Sequence, residues 1–193
     1  NAAAILEAFY PGNQGGMAVA KILAGKVNPS AHLPYSIPRG VGYLNCWYYQ
    51  RPSKYSKGQY SMTPKNDGMY PLYDFGYGLS YTKFEYSEIT VLPKIKKSEK
   101  IELSVTITNI GKYDGEEVVL LFVNDEISRV TTPVKLLKDY KRIFLKKGES
   151  SKVTFVLNPD QLIFLNEQLK PELDPGMFTL MVGDKKARFE IVN

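Results

Sequence analysis

A chain of 193 residues with 44% hydrophobic positions has enough apolar material for one large or two small packed domains, which excludes an intrinsically disordered polypeptide. Its 25 basic and 20 acidic residues leave a net charge of only +5, and the lysines fall in pairs (Lys96-Lys97, Lys146-Lys147, Lys185-Lys186) beside expected turns, which argues for a solvated or edge-protecting face and against nucleic-acid binding. The single cysteine, Cys46, excludes an internal disulfide, and no apolar run approaches the ~20 residues of a membrane-spanning helix.

The opening Asn1-Ala2-Ala3-Ala4 has neither an initiator Met nor the basic start and apolar stretch of a signal peptide, and reads as the interior of a longer polypeptide. Ala4 to Tyr10 is a short, largely apolar run closed by Pro11-Gly12, which predicts a buried strand. A tight loop, Gly12-Asn13-Gln14-Gly15-Gly16, follows. Met17 to Ala24 then places apolar residues at helical spacing, with Gly25 as the stop and Lys26 near the negative end of the helix. Leu33-Pro34-Tyr35-Ser36-Ile37-Pro38 is a second extended piece, so the order reads as a βαβ unit. A glycine loop opening a helix invites a phosphate-binding reading, but Gly-Lys-Ser/Thr is absent and the spacing is not Gly-x-Gly-x-x-Gly, which leaves plain turn geometry.

Asn45-Cys46-Trp47-Tyr48-Tyr49-Gln50-Arg51-Pro52-Ser53 sets aromatic rings beside amide and guanidinium groups. That mixture suits two roles, first as an anchor in a core or interface and second as a cover for the C–H face of a sugar at an outer subsite. The character of the chain changes at Tyr70-Pro71-Leu72-Tyr73-Asp74-Phe75-Gly76-Tyr77-Gly78-Leu79-Ser80-Tyr81-Thr82. Five aromatic rings are costly to leave in water, at about 25 cal/mol per Å² of apolar surface, so this segment is expected to be a packed strap.

From Phe84 the pattern is β. Ile101, Leu103, Val105 and Ile107 alternate with Glu102, Ser104, Thr106 and Thr108, the period of a strand with one wet face. Asn109 to Gly115 turns the chain, and Val118 to Val123 is a continuous apolar run suited to a central strand. Further strands are expected at 141–145, 151–157, 178–182 and 187–191, separated by turns at Lys147-Gly148, Asp174-Pro175-Gly176 and Gly183-Asp184. About seven strands in roughly 110 residues is the spacing of an immunoglobulin-like sandwich. Asn158-Pro159-Asp160-Gln161-Leu162 predicts one helical turn capped by Asn158.

Several of these strings together resemble the C-terminal part of glycoside hydrolase family 3 β-glucosidases. They are Phe9-Tyr10-Pro11-Gly12-Asn13-Gln14-Gly15-Gly16, Gly25-Lys26-Val27-Asn28-Pro29-Ser30 with Leu33-Pro34, Phe75-Gly76-Tyr77-Gly78-Leu79-Ser80-Tyr81-Thr82, and Asn109 through Val119. The resemblance implies an α/β fragment (the βαβ part of an α/β sandwich) over residues 1–70, an aromatic and Gly-rich strap over 71–83, and a fibronectin type III-like all-β sandwich over 84–193. Three departures stand out. Gln14 replaces a usual Glu and removes charge from its loop; Ala31-His32 replaces Gly and a basic residue; and Thr132 and Leu136 replace an Arg and a Glu flanking Pro133. His32, the only histidine, has no second ligand or nucleophile in its motif and is expected to be a surface substitution for the basic residue. The paired loss of charge at Thr132 and Leu136 suggests an exchanged structural contact.

What the resemblance implies for function is equally specific. A retaining, exo-acting β-glycosidase, most simply a β-glucosidase, needs a nucleophilic Asp and an acid/base Glu, and in the family both precede this region. The acids here fall in turns (Asp114, Asp174, Asp184) or at strand margins (Glu116, Glu149), so the expectation is no catalytic, substrate-binding or metal-ligating residue in this segment, and no cofactor. The implied partners are an upstream (β/α)₈ barrel, the remainder of the α/β sandwich and an oligo- or aryl β-glycoside, and the implied compartment is periplasmic or extracellular. A non-enzymatic carbohydrate-binding or adhesion module of immunoglobulin-like fold is the alternative, which the βαβ unit argues against.

Overall fold

The computed structural model describes residues 2–41, 47–49, 51 and 71–193. Helix α1 (Gly15–Leu23) is followed, from residue 84, by strands β1 (Phe84–Tyr86), β2 (Thr90–Val91), β3 (Lys94–Lys96), β4 (Ile101–Asn109), β5 (Gly115–Asp125), β6 (Leu136–Leu145), β7 (Ser150–Leu157), β8 (Phe164–Leu165), β9 (Pro171–Glu172), β10 (Gly176–Val182) and β11 (Lys185–Val192). One sheet has β7 on one edge of β4, with β1 and β2 following one another along the other edge. The second has the order β3-β11-β10-β5-β6, with β3 parallel to β11. β8 and β9 form a separate two-stranded ribbon.

The alternation read in β4 sets the sandwich. Ile101, Leu103, Val105 and Ile107 all point inward and are buried, as are Val153, Phe155 and Leu157 of its neighbour β7. Against them pack Val119, Leu121 and Val123 of β5, Phe178, Leu180 and Val182 of β10, and Phe189 and Ile191 of β11. Phe178 and Phe189 are directly paired across β10 and β11, with ring centroids 5.5 Å apart. β1, β2 and β3, of two or three residues each, are too short to show a period, which is why the sequence names none of them.

The unbroken apolar run in β5 has its own cause. Its inward residues fill the core, while Leu120 and Phe122 point out of the sandwich and are covered by the strap. Gly76 lies so close that a Cβ there would sit 2.7 Å from Leu120 Cδ1. Phe75 meets Phe122 edge-on at 6.0 Å, and Tyr48 stacks on Phe75 at 4.3 Å. Gly76 has φ +82°, a conformation that an L side chain rarely adopts, so both space and backbone demand glycine. The packing is uneven. Phe75 is partly buried, whereas Tyr77 and Tyr81 keep more than a third of their surface in water, so the strap is less enclosed than its aromatic content predicts; Tyr70 lies outside the described residues.

Edge strand β6 carries Asp139 and Lys141 in inward register, opposite Leu121 and Val119. The ladder slips between Leu121 and Phe122, where Lys138 is the extra residue of a bulge. Lys138 Nζ donates to the Gln161 carbonyl at 2.5 Å, and burial lowers its pKa. Bulge and charges together blunt the edge. Gly183-Asp184 closes the β10–β11 hairpin as a two-residue turn, with Gly183 at φ +59° as a type II′ turn requires of its first position. The expected helical turn is a 3₁₀ turn, Pro159–Leu162, with Gln161 Oε1 accepting the Asn158 N–H at 2.8 Å.

Within residues 2–41 the expected helix forms but the two expected strands do not. α1 forms, starting two residues earlier than its apolar spacing indicates, but no strand occupies residues 4–10, and Leu33 to Pro38 makes only an isolated bridge between Ile37 and Tyr73. Ile5 is 75% exposed and Leu23 72%. A strand exists only where neighbours accept its backbone hydrogen bonds, and nothing among the described residues pairs with 4–10. The sequence pattern for burial is there; the surface to bury against is not.

Replacing Phe155, fully buried between the sheets, by Ala should cost about 3–5 kcal/mol, read as a lowered denaturant midpoint. Arg188 and the Thr179 hydroxyl, both bonded to the Glu126 carboxylate, hold its pKa down to about 2. Its stabilising contribution is therefore complete above about pH 4.5 and is lost as pH falls towards 2. An NMR titration should show that midpoint, moved back towards 4.5 in Arg188→Gln.

Candidate functional site

The place where polar side chains converge is the joint between the first part, the strap and the sandwich. Its base is Asn109, the last inward position of β4 and fully buried. The Asn109 Oδ1 accepts the Thr82 hydroxyl at 2.6 Å and the Gly111 N–H at 3.1 Å, while its Nδ2 donates to the carbonyls of Tyr113 at 2.8 Å and Leu145 at 3.0 Å. Both lone pairs and both protons of the amide are thus used. Its own backbone carbonyl takes the Gly148 N–H and its N–H meets the Glu149 carbonyl, each at 2.9 Å.

A second amide, Asn28, fastens the segment after α1. Its Oδ1 accepts the Ser80 hydroxyl at 2.9 Å and the Tyr81 N–H at 2.8 Å, and its Nδ2 donates to the Asp114 carbonyl at 3.1 Å. The Tyr81 hydroxyl reaches back to the Ile22 carbonyl at 2.8 Å. The Leu33 N–H donates to the Tyr77 carbonyl and the Gly76 N–H to the Leu33 carbonyl, each at 2.8 Å, so the first part and the strap are stitched together along their backbones.

Beside this seam a small cleft is lined by Ser30, His32, Gly78, Ser80, Glu116 and Glu117. His32 is not the surface residue that its motif position predicts: its side chain is only 20% exposed. Nδ1 lies 2.6 Å from the Gly76 carbonyl, and Nε2 3.5 Å from Glu117 Oε1. The Tyr86 hydroxyl donates to that same Oε1 at 2.7 Å. Burial, and next the Glu117 charge, push the Tyr86 pKa far up, so its hydroxyl remains a donor. The Glu117 hydrogen bond, opposed by burial, raises the pKa of His32 above its ordinary value of about 6.5. Next to this set, Arg142 pairs with Glu116 and donates to Ser30 Oγ at 2.8 Å.

The other acids singled out by sequence lie apart from this cleft. Asp114 accepts the Lys147 N–H and Glu149 the Lys146 N–H, both at 2.8 Å; Asp174 is bonded by Arg129, and Asp184 lies 3.4 Å from Lys185. Gln14 precedes α1 and makes no side-chain cap. Thr132 is half-buried, and Leu136 starts β6 opposite Val123. Trp47 and Tyr49, 49% and 48% exposed, stack at 6.2 Å beside Tyr48, which meets Phe122 of the sandwich; Asn45, Cys46, Gln50, Pro52 and Ser53 lie outside the described residues. Among the described residues no group of three or more His, Cys, Asp or Glu is placed to hold a metal ion, and no helix is long and apolar enough to cross a membrane.

Residues 1–81 match the glycosyl hydrolase family 3 C-terminal domain and residues 117–186 a fibronectin type III-like domain. The chain belongs to glycoside hydrolase family 3. It is 37% identical to a periplasmic β-glucosidase of Salmonella typhimurium over 96% of its own length and 25% of that protein, and 42% identical to a β-xylosidase of Formosa agariphila over 95% and 25%. The β-glucosidase of Listeria innocua, solved in complex with glucose, superposes with a TM-score of 0.88 at 31% identity, over 97% of this chain and 28% of that one. The family 3 chain therefore spans about a quarter of the length of these relatives.

Sequence reasoning passed over Asn109, Asn28 and Glu117, although two of them carried a signal. Asn109 continues the inward phase of Ile101 through Ile107, and Glu117 shares the inward phase of Val119 and Leu121. A polar residue in an apolar phase marks a buried network. Asn109→Ala should strip partners from Thr82, Gly111, Tyr113 and Leu145 together and cost about 2–4 kcal/mol, measured by denaturant unfolding.

Proposed function

We propose that the chain is the C-terminal structural portion of a retaining, exo-acting β-glycosidase, most simply a β-glucosidase, acting on terminal non-reducing β-linked sugars. The nucleophilic Asp and the acid/base Glu, which a double displacement holds about 5–5.5 Å apart, come in this reading from polypeptide outside these 193 residues. The observation that carries it is the bare apolar surface of the first part. Met17 and Leu23 of α1, with Ile5 and Leu6, stand exposed in a protein whose other half is well packed, which is what a domain wall looks like when its remaining elements belong to another stretch of polypeptide. Relatives about four times as long, β-glucosidases and a β-xylosidase among them, support the same division.

In this reading the segment braces the enzyme. Residues 1–70 complete an α/β sandwich, 71–83 tie it down, and 84–193 form the sandwich that the strap rests on. The compartment fits a periplasmic or secreted enzyme, as the name of the Salmonella relative suggests. The exposed Trp47–Tyr49 stack favours a second reading, a module that holds polysaccharide by itself.

Mixing the chain with the upstream polypeptide of a family 3 relative and assaying an aryl β-glucoside separates the two. Hydrolysis that needs both pieces, with none from the chain alone, is the expected result. Tight glucan binding by the isolated chain, lost in Trp47→Ala, without complementation would overturn it in favour of the module.

A further inference from the structure

The two ring nitrogens of His32 face two acceptors: the Gly76 carbonyl of the strap at 2.6 Å and the Glu117 carboxylate of β5 at 3.5 Å. A neutral imidazole has one N–H, and the shorter contact claims it for Nδ1. The lone pair of Nε2 would then point at a carboxylate oxygen. The imidazolium alone presents a proton to each side. We propose that His32 is a proton-operated clasp: protonated, it holds the segment after α1 and the strap against β5, and on losing its proton it lets go of Glu117 and loosens that seam.

The surroundings leave the task to His32. Tyr86 of β1 approaches Glu117 as a neutral hydroxyl, and Arg142 of β6 is committed to the adjacent Glu116 and to Ser30. Asp184, in the β10–β11 turn, adds negative charge that acts on Tyr86. Gly78 allows the strap to lie against the ring, since a Cβ there would be 3.2 Å from Nδ1. A lysine or arginine in place of His32 would keep its charge at any physiological pH; a histidine makes the same contact conditional.

The sign follows from the raised pKa of the clasped ring. Below about pH 6.5 the ring is charged in both clasped and open forms and the contribution is complete. It is lost as pH rises through the higher, clasped value, the closing equilibrium changing about tenfold for each pH unit separating the two.

Because the chain has one histidine, its imidazole Cε1–H gives a single NMR signal, and the titration midpoint is read directly. The expected result is a midpoint above 6.5 that falls in Glu117→Gln. Across that midpoint, hydrogen-exchange protection of the Leu33 and Gly76 amides should drop relative to the β4 amides, and His32→Lys should abolish the drop. A wild-type midpoint at or below 6.5, or Leu33 and Gly76 protection that keeps a constant ratio to β4 through the titration, would overturn the proposal. Both readings come from the unmodified protein, so they stand even if a variant folds poorly.

Discussion

The fold rests on one buried amide. Asn109 sits where β4 ends, where the loop to β5 turns and where β6 closes, and its four side-chain hydrogen bonds fix these against each other and against Thr82 of the strap. An amide taken out of water costs several kcal/mol if left unpaired, so these partners are bound to assemble together or not at all. The all-or-none character of the node explains how a strap with half-exposed rings is nevertheless held so close to Leu120 that Gly76 has no room for a side chain. Its position is set by Thr82 and Asn28, and the aromatic contacts follow.

The sandwich was legible in the sequence to a degree that the first part was not. Ile101 through Thr108 alternate because one face of β4 is wet, and the run at Val118 to Val123 is unbroken because both faces of β5 are covered, one of them by Phe75 and Gly76. The pattern in Ala4 to Tyr10 is equally apolar, and there it yields no strand. Periodicity reports that a face is meant to be buried; it does not say by what. His32 is a different kind of miss. Its neighbours in sequence say nothing about Glu117, which lies 85 positions away and reaches it only because Asn28 and the strap fold the segment back onto β5.

The division of labour between the two halves has a physical logic. A β-sandwich whose core is closed on itself supplies rigidity, and the first part supplies apolar surface that is still open. Joining the two through satisfied amides and short backbone bonds, beside the Tyr48–Phe75–Phe122 cluster, makes a seam that is directional and sensitive to single groups. Family 3 membership gives this arrangement a setting, since the relatives it matches are about four times as long.

The topology has a consequence for biosynthesis. β11, Lys185–Val192, does not lie at the rim of its sheet; it is hydrogen-bonded to β10 on one side and to β3, some ninety residues earlier, on the other, and its Phe189 and Ile191 plug the centre of the sandwich. Strand β3, made early, has no partner in its sheet until this last segment is in place. A chain stopped short of Lys185 would therefore display β3 and β10 as open edges, ready to pair with other chains.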